Sequence, residues 1–269
     1  MCVNIWNFIV NTTNYVIKET IIMLLGKNIV ITDCLQEIGK ETLIKFAKNR
    51  ANIFACVCEK NEEFRLFCED LAKKNCVKII PVYYDVADIF MIEEAVKTIQ
   101  ESKMEIHGIV NIAETKKDAF WGTISYEDMI NIFQVNVCSP IFLTQHIVKL
   151  MQKNRTKGSV VFTSNIIALD GSVGQVAYGA SKAALLGAMK SMALELGESG
   201  VRVNAVCLGV IKTPITEKLT KEEIESKEKM MEIPRLGEAS EVADVFMYLM
   251  SDLSTHLSGQ TIRVDGGIG

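Results

Sequence analysis

The chain has 269 residues, 49% of them apolar and 23% charged, with a net charge of −4. That is enough apolar material for one large domain or, at a stretch, two small ones, and it argues against a nucleic-acid partner or a membrane surface. Eight cysteines without a CxxC pair and only three histidines argue against a metal site and a disulfide framework, and point to a reducing, cytoplasmic compartment.

The first 22 residues stand apart from the rest. They carry neither the basic start of a signal peptide nor an apolar run long enough for a membrane helix, and this extension is expected to be a peripheral helix or an artefact of start-site choice. Residues 23–269 are expected to form one domain. Its first strand, Asn28–Ile31, runs into the turn Thr32-Asp33-Cys-Leu-Gln-Glu37-Ile38-Gly39 and opens a helix. Such a turn usually carries glycines so that the backbone can approach a phosphate, but here only Gly39 is present. Asp33-x-x-Gln36 matches a capping box, which predicts that Asp33 accepts from the first-turn amides.

Further strands are predicted at Asn52–Val57, Lys78–Val82, Gly108–Ile112, Ser159–Thr163, Arg202–Cys207 and Thr261–Val264. Amphipathic helical stretches lie between them at Glu62–Lys74, Ile89–Ser102, Tyr126–Asn154 and Ala177–Gly197. This alternation predicts right-handed crossovers and an α/β, doubly wound, Rossmann-like parallel sheet of about seven strands. Pro214–Pro234 breaks the rhythm with a charged, helix-forming insertion after the sixth strand, readable as a lid or as a solvated surface helix.

The strongest chemical feature is Tyr178-Gly-Ala-Ser-Lys182. The i, i+4 spacing puts a phenol and an ammonium on one helical face. A phenol ionises near 10, and a nearby cation draws that value toward neutrality, which suits acid–base work. With Asn136, the strand Ser159–Asn165, the segment Asn204–Pro214 and the C-terminal Ser258–Gly267, the sequence resembles the short-chain dehydrogenase/reductases. The likeness is strongest to 3-oxoacyl-carrier-protein reductases and related carbonyl reductases, and it runs from about Gly26 to Gly267.

The resemblance implies hydride transfer between a carbonyl and an alcohol, with NAD(P)(H) as cofactor and a small-molecule or acyl-thioester substrate. Tyr178 would exchange the proton with the substrate oxygen, and Lys182 would lower the tyrosine's ionisation point and hold the nicotinamide ribose. Asn136 would hold a relay water. Thr32, Ile38 and Gly39 would form the phosphate turn, Asp85 and Val86 would meet the adenine, and Asn111 and Ala113 would flank the cofactor. Ile211 and Thr213 would contact the nicotinamide end. After the second strand, Glu59 suits a free ribose hydroxyl and Lys60 a 2′-phosphate, so NAD and NADP both stay open. Assembly as a homo-tetramer or homo-dimer is the family's habit.

The chain departs from the pattern at four places. Asn165 stands 13 residues before Tyr178, where the family places a carbonyl-polarising serine, and Ser164 is the candidate substitute one residue early. Asp33, Glu37 and Glu114 replace glycines, and are expected to surround the cofactor phosphates. Each such charge at 4 Å costs about 1 kcal/mol in water and about 4 at an effective dielectric of 20. Two readings follow: a reductase acting through Tyr178, or a non-catalytic homologue with lost cofactor binding that serves as a binding or partner subunit.

Overall fold

The computed structural model describes residues 22–214, 216 and 219–268. The expected extension over 1–22 therefore lies, but for Ile22, outside the described residues. Seven strands form one sheet: β1 (Asn28–Ile31), β2 (Asn52–Val57), β3 (Ile79–Tyr83), β4 (Gly108–Asn111), β5 (Ser159–Asn165), β6 (Arg202–Leu208) and β7 (Thr261–Val264). Their order is β3-β2-β1-β4-β5-β6-β7 and every pair is parallel. The predicted strands are all present, with ends shifted by at most two residues.

The helices are α1 (Glu37–Lys48), α2 (Glu62–Asn75), α3 (Ile89–Glu101), α4 (Tyr126–Phe133), α5 (Ser139–Lys153), α6 (Ile167–Asp170), α7 (Val176–Leu196), α8 (Lys221–Glu228) and α9 (Ala239–Met250). Several begin where the sequence supplies a cap. Asn61 accepts from the Phe64 amide at 2.9 Å, Asp88 from Phe90 at 2.8 Å and Ser125 from Asp128 at 3.1 Å. Each such cap stabilises its helix by about 1 kcal/mol.

The sheet is covered on both faces, so its central strands read as continuous apolar runs rather than alternating ones. Ile29, Ile31, Leu43, Phe46 and Phe246 fill one side, against α1 and α9. Val30, Phe54, Ile147, Phe162 and Met189 fill the other, against α3, α5 and α7. The chain builds outward from β1 to β3 and then returns to place β4 on the opposite side of β1. The carboxyl ends of β1 and β4 thus part at a topological switch point, where α/β sheets bind ligands.

Two expectations are refined. The stretch predicted as one helix over Tyr126–Asn154 is two helices joined by a single π turn at Gln134–Cys138, which carries Asn136. Such turns disturb the regular helix ladder and are frequent at functional sites. The charged insertion forms α8, which has a reciprocal Thr220–Glu223 capping box and no buried residue, as a solvated surface helix does. No helix among the described residues is long and apolar enough to cross a membrane.

Candidate active site

At the end of β1 the Thr32 hydroxyl accepts from the amides of Ile112 (2.7 Å) and Ala113 (3.0 Å), which ties the β1 turn to the end of β4. Asp33 follows with φ of 59°, in the left-handed region where glycine is at ease and aspartate is tolerated. This corrects the capping-box expectation. Gln36, in extended conformation, stands at the cap position of α1 and makes no side-chain hydrogen bond to the first-turn amides. The reason is the left-handed turn at Asp33, which sets that residue apart from the helix start. Glu37, the first helical residue, is exposed, and Ile38 is half-buried. Gly39 is required, because a Cβ there would meet the Asp33 carbonyl oxygen at 2.0 Å. Burial, and after it the charge of Glu114, push the Asp33 carboxyl up to about 6.

Beyond the carboxyl ends of β1, β3 and β4 a narrow cleft is lined by Thr32, Tyr84, Val86, Asn111, Ala113 and Ser139, among others. Asn111 donates to the Thr144 hydroxyl at 3.0 Å, but its Oδ1 is buried with no partner, as is the Ser139 hydroxyl in the same cleft. Tyr84 and Ser139 were not anticipated from the sequence; the signal for Tyr84 was its place beside Asp85 and Val86. The Asp85 carboxylate accepts from the Ala87 amide at 2.8 Å through one of its two oxygens. Glu59 and Lys60 are exposed beyond β2. Ile211 is buried and pairs through its backbone with Gly237, while Thr213 lies half-buried on a separate acidic rim with Glu37 and Glu238.

The structure brings Tyr178 and Lys182 together at the start of α7, both almost wholly buried, with the Lys182 ammonium 5.7 Å from the Tyr178 ring centre. A third group joins them. One carboxylate oxygen of Glu114 accepts from the Tyr178 hydroxyl at 3.1 Å and pairs with the Lys182 ammonium at 2.5 Å. Lys182 also donates to the Thr163 carbonyl at 3.0 Å. The Tyr178 phenol is therefore raised above its ordinary value rather than lowered. Burial is the largest cause, followed by the Glu114 charge and its hydrogen bond, while a hydrogen bond from Asn165 pulls the other way.

The expected crowding of three carboxylates around a phosphate turn is met in part: Asp33 and Glu114 feel one another, while Glu37 stands exposed. Glu114 turns its carboxylate to Tyr178 and Lys182, because a buried ammonium is a far better partner than another acid. Asn136 has its side chain engaged by protein atoms: it accepts from the Thr115 amide (2.7 Å) and donates to the Thr115 carbonyl (2.9 Å) and the Ser181 hydroxyl (3.0 Å). It thereby pins the residue next to Glu114 onto α7. The Ser164 hydroxyl donates to the Lys182 carbonyl at 2.9 Å and is buried against α7, away from the phenol. Asn165, one residue on, accepts from the Ile167 amide at 3.1 Å and lies near enough to Tyr178 to oppose the rise of its phenol. Strand alternation separates the two neighbours, and the one at the family position is the one beside the phenol.

A seven-stranded parallel sheet with a tyrosine–lysine pair at its carboxyl edge defines a dinucleotide-fold oxidoreductase. The chain belongs to the short-chain dehydrogenase/reductase family. A family model described as "Enoyl-(Acyl carrier protein) reductase" matches residues 35–269. The chain is 36% identical to a 3-oxoacyl-[acyl-carrier-protein] reductase of Thermotoga maritima, over 90% of this chain and 98% of that protein. Among solved structures it is similar to the L-sorbose reductase of Gluconobacter frateurii complexed with NADPH and L-sorbose, with a TM-score of 0.84, 25% identity and coverage of 92% and 98%. It is also similar to a 3-oxoacyl-[acyl-carrier protein] reductase of Brucella melitensis with bound NAD, with a TM-score of 0.82, 26% identity and coverage of 92% of each chain.

Proposed function

We propose that this protein is an NAD(P)-dependent carbonyl reductase that interconverts a carbonyl and an alcohol, with a 3-oxoacyl thioester or a comparable ketone as substrate. The observation that carries this reading is the buried Tyr178 hydroxyl, with Lys182 and the Asn165 amide beside it, at the carboxyl end of β5. The thioester comes from the Thermotoga relative and the simple ketone from the sorbose reductase neighbour.

The residues present fit a nicotinamide dinucleotide. The start of α1 has no side-chain cap and can meet an anion with its amides, and the cleft holds two buried polar atoms without protein partners. Thr32, Ile38 and Gly39 would hold the phosphates, with Asn111, Ser139 and Val86 along the adenosine half. Asp33 fits this role in its protonated form. When bound, the dinucleotide supplies or takes up the hydride.

In reduction, Tyr178 donates its hydroxyl proton to the carbonyl oxygen as negative charge develops there. Asn165, near the phenol, is the side chain we assign to donate an amide N–H to the forming alkoxide. Lys182 keeps positive charge beneath the phenol, anchored by the Thr163 carbonyl. We place the protein in the cytoplasm, consistent with seven described cysteines that are all free thiols. We also propose a homo-dimer or homo-tetramer, to which the exposed Tyr126 and Ile130 on α4 and Leu194 on α7 are suited.

Titration with NADH and NADPH, followed by nucleotide fluorescence, tests this reading. Saturable binding of at least one nucleotide below millimolar concentration is expected. If neither binds, the reductase reading falls and the non-catalytic subunit replaces it, with the Asp33 carboxyl as the structural cause. Tyr178→Phe is expected to lower turnover by at least about 10²-fold while leaving nucleotide affinity within about twofold.

A further inference from the structure

The segment that follows β4 carries three charged side chains onto Tyr178. Glu114 accepts its hydroxyl, Lys116 lies 5.8 Å from its ring centre, and Asp118, paired with Lys116 at 3.2 Å, adds a weaker negative field. From α7 comes Lys182, and from β5 the uncharged Asn165. Across the cleft, Asp33 on the β1 turn faces Glu114. The segment is fixed rather than loose. Asn136 clamps both backbone groups of Thr115, Gln175 donates to Asp118 at 2.8 Å, and the Ala119 amide donates to the Gly174 carbonyl at 2.8 Å. Glu114 is thus held on the reacting group between Ala113, whose amide donates to Thr32, and Thr115, which Asn136 clamps.

A single Glu114 oxygen receives both the phenol and the ammonium, so the positive charge of Lys182 is shared with a carboxylate before it reaches Tyr178. A phenol in that setting keeps its proton. Reduction of a carbonyl needs a protonated tyrosine, whereas oxidation of an alcohol needs a phenolate that removes the hydroxyl proton. We propose that Glu114 is a further catalytic residue of this site, which holds Tyr178 as a proton donor and so commits the enzyme kinetically to carbonyl reduction near neutral pH. In that direction hydride from the reduced nicotinamide forms the C–H bond and the Tyr178 O–H bond breaks to protonate the carbonyl oxygen. The phenolate left behind is reprotonated from solvent, which the partly exposed Glu114 side chain (38%) borders. The equilibrium of the reaction is untouched; what changes is the pH at which each direction runs.

The inference rests on the reductase reading above, yet its first test needs no nucleotide. Tyrosine ionisation is followed by ultraviolet absorption from pH 7 to 11 in the native protein, Glu114→Gln and Glu114→Gly, each compared with its Tyr178→Phe counterpart to isolate one phenol. The native protein is expected to show no Tyr178 phenolate by pH 11. Both Glu114 variants are expected to show a Tyr178 phenolate forming within the titrated range, with its midpoint below pH 11. Variants that match the native protein overturn the proposal. The second test is the pH profile of alcohol oxidation, whose rising limb should move down by at least one unit in Glu114→Gln while the reduction rate at pH 7 does not rise. An unmoved oxidation limb also overturns it. Absence of nucleotide binding with a shifted phenol sinks only the reductase reading, so the two failures are distinct.

Discussion

Two turns of this molecule underwent the same kind of change with different outcomes. After β1, Asp33 stands where the family has glycine; after β4, Glu114 does. Asp33 is half-buried and faces a second acid, so its carboxyl is driven up toward neutrality, to about 6. Glu114 has one more methylene and lies within reach of α7, so its carboxylate meets a buried ammonium and a phenol. A carboxylate at the carboxyl end of a strand is therefore not one effect. Where a cation is within reach it becomes part of the chemistry, and where none is it becomes a proton-dependent obstacle.

The largest expected effect tests the catalytic side of this contrast. Asn165→Ala removes the uncharged amide near the phenol and should lower turnover by about 10²–10³-fold, with the Michaelis constant for substrate little changed. Asn165→Ser restores a short donor at the family position and should recover at least tenfold of that loss. If Ala and native protein turn over alike, Asn165 is only a bracket for the Ile167 amide.

A middle-sized effect tests the β1 turn. A phosphate near an ionised Asp33 is opposed, so nucleotide affinity of the native protein should fall as pH rises through about 6. Asp33→Asn should abolish that pH dependence and tighten binding about tenfold at pH 8. Affinity that is flat with pH in both proteins would show the carboxyl turned away from the ligand. The same carboxyl bears on stability. Its folded value lies above the ordinary carboxyl value of 3.8, so the folded chain binds more protons than the unfolded one between the two values. Stability from this group is full below about 3.8 and is lost as pH rises through about 6, by up to roughly 3 kcal/mol. Denaturant unfolding of Asp33→Asn against native protein should therefore show a gain at pH 8 and none at pH 4.

The smallest effect separates Glu37 from the other two acids. Its side chain is exposed at the first turn of α1, where solvent screens it. Glu37→Gln should change nucleotide affinity by less than about threefold at 0.15 M salt, measured by the same fluorescence titration. A change as large as that of Asp33→Asn would erase the distinction drawn between buried and exposed carboxylates.

Most of the architecture could be read from the chain itself. Short β-branched runs separated by helical periods define a parallel sheet, because burial on both faces demands continuous apolar strands and the crossover rule leaves one hand. The tyrosine–lysine pair was equally legible, since i and i+4 share a helical face wherever the helix is placed. Asn165 at the phenol, with Ser164 turned to α7, follows from the two-residue period of a strand. What the chain could not disclose were the relations across it. Glu114 and Lys182 lie far apart in sequence and meet only because β4 and β5 are neighbours and Asn136 pins the intervening backbone. The capping-box pattern at Asp33 was a local rule overruled by a left-handed turn that the β1–β4 junction holds in place. Local periodicity determined the elements and their faces. The direction of each carboxylate, and with it the charge around the phenol, was decided by which groups the tertiary fold brings within a few ångströms, where Coulomb energy is largest and solvent least able to screen it.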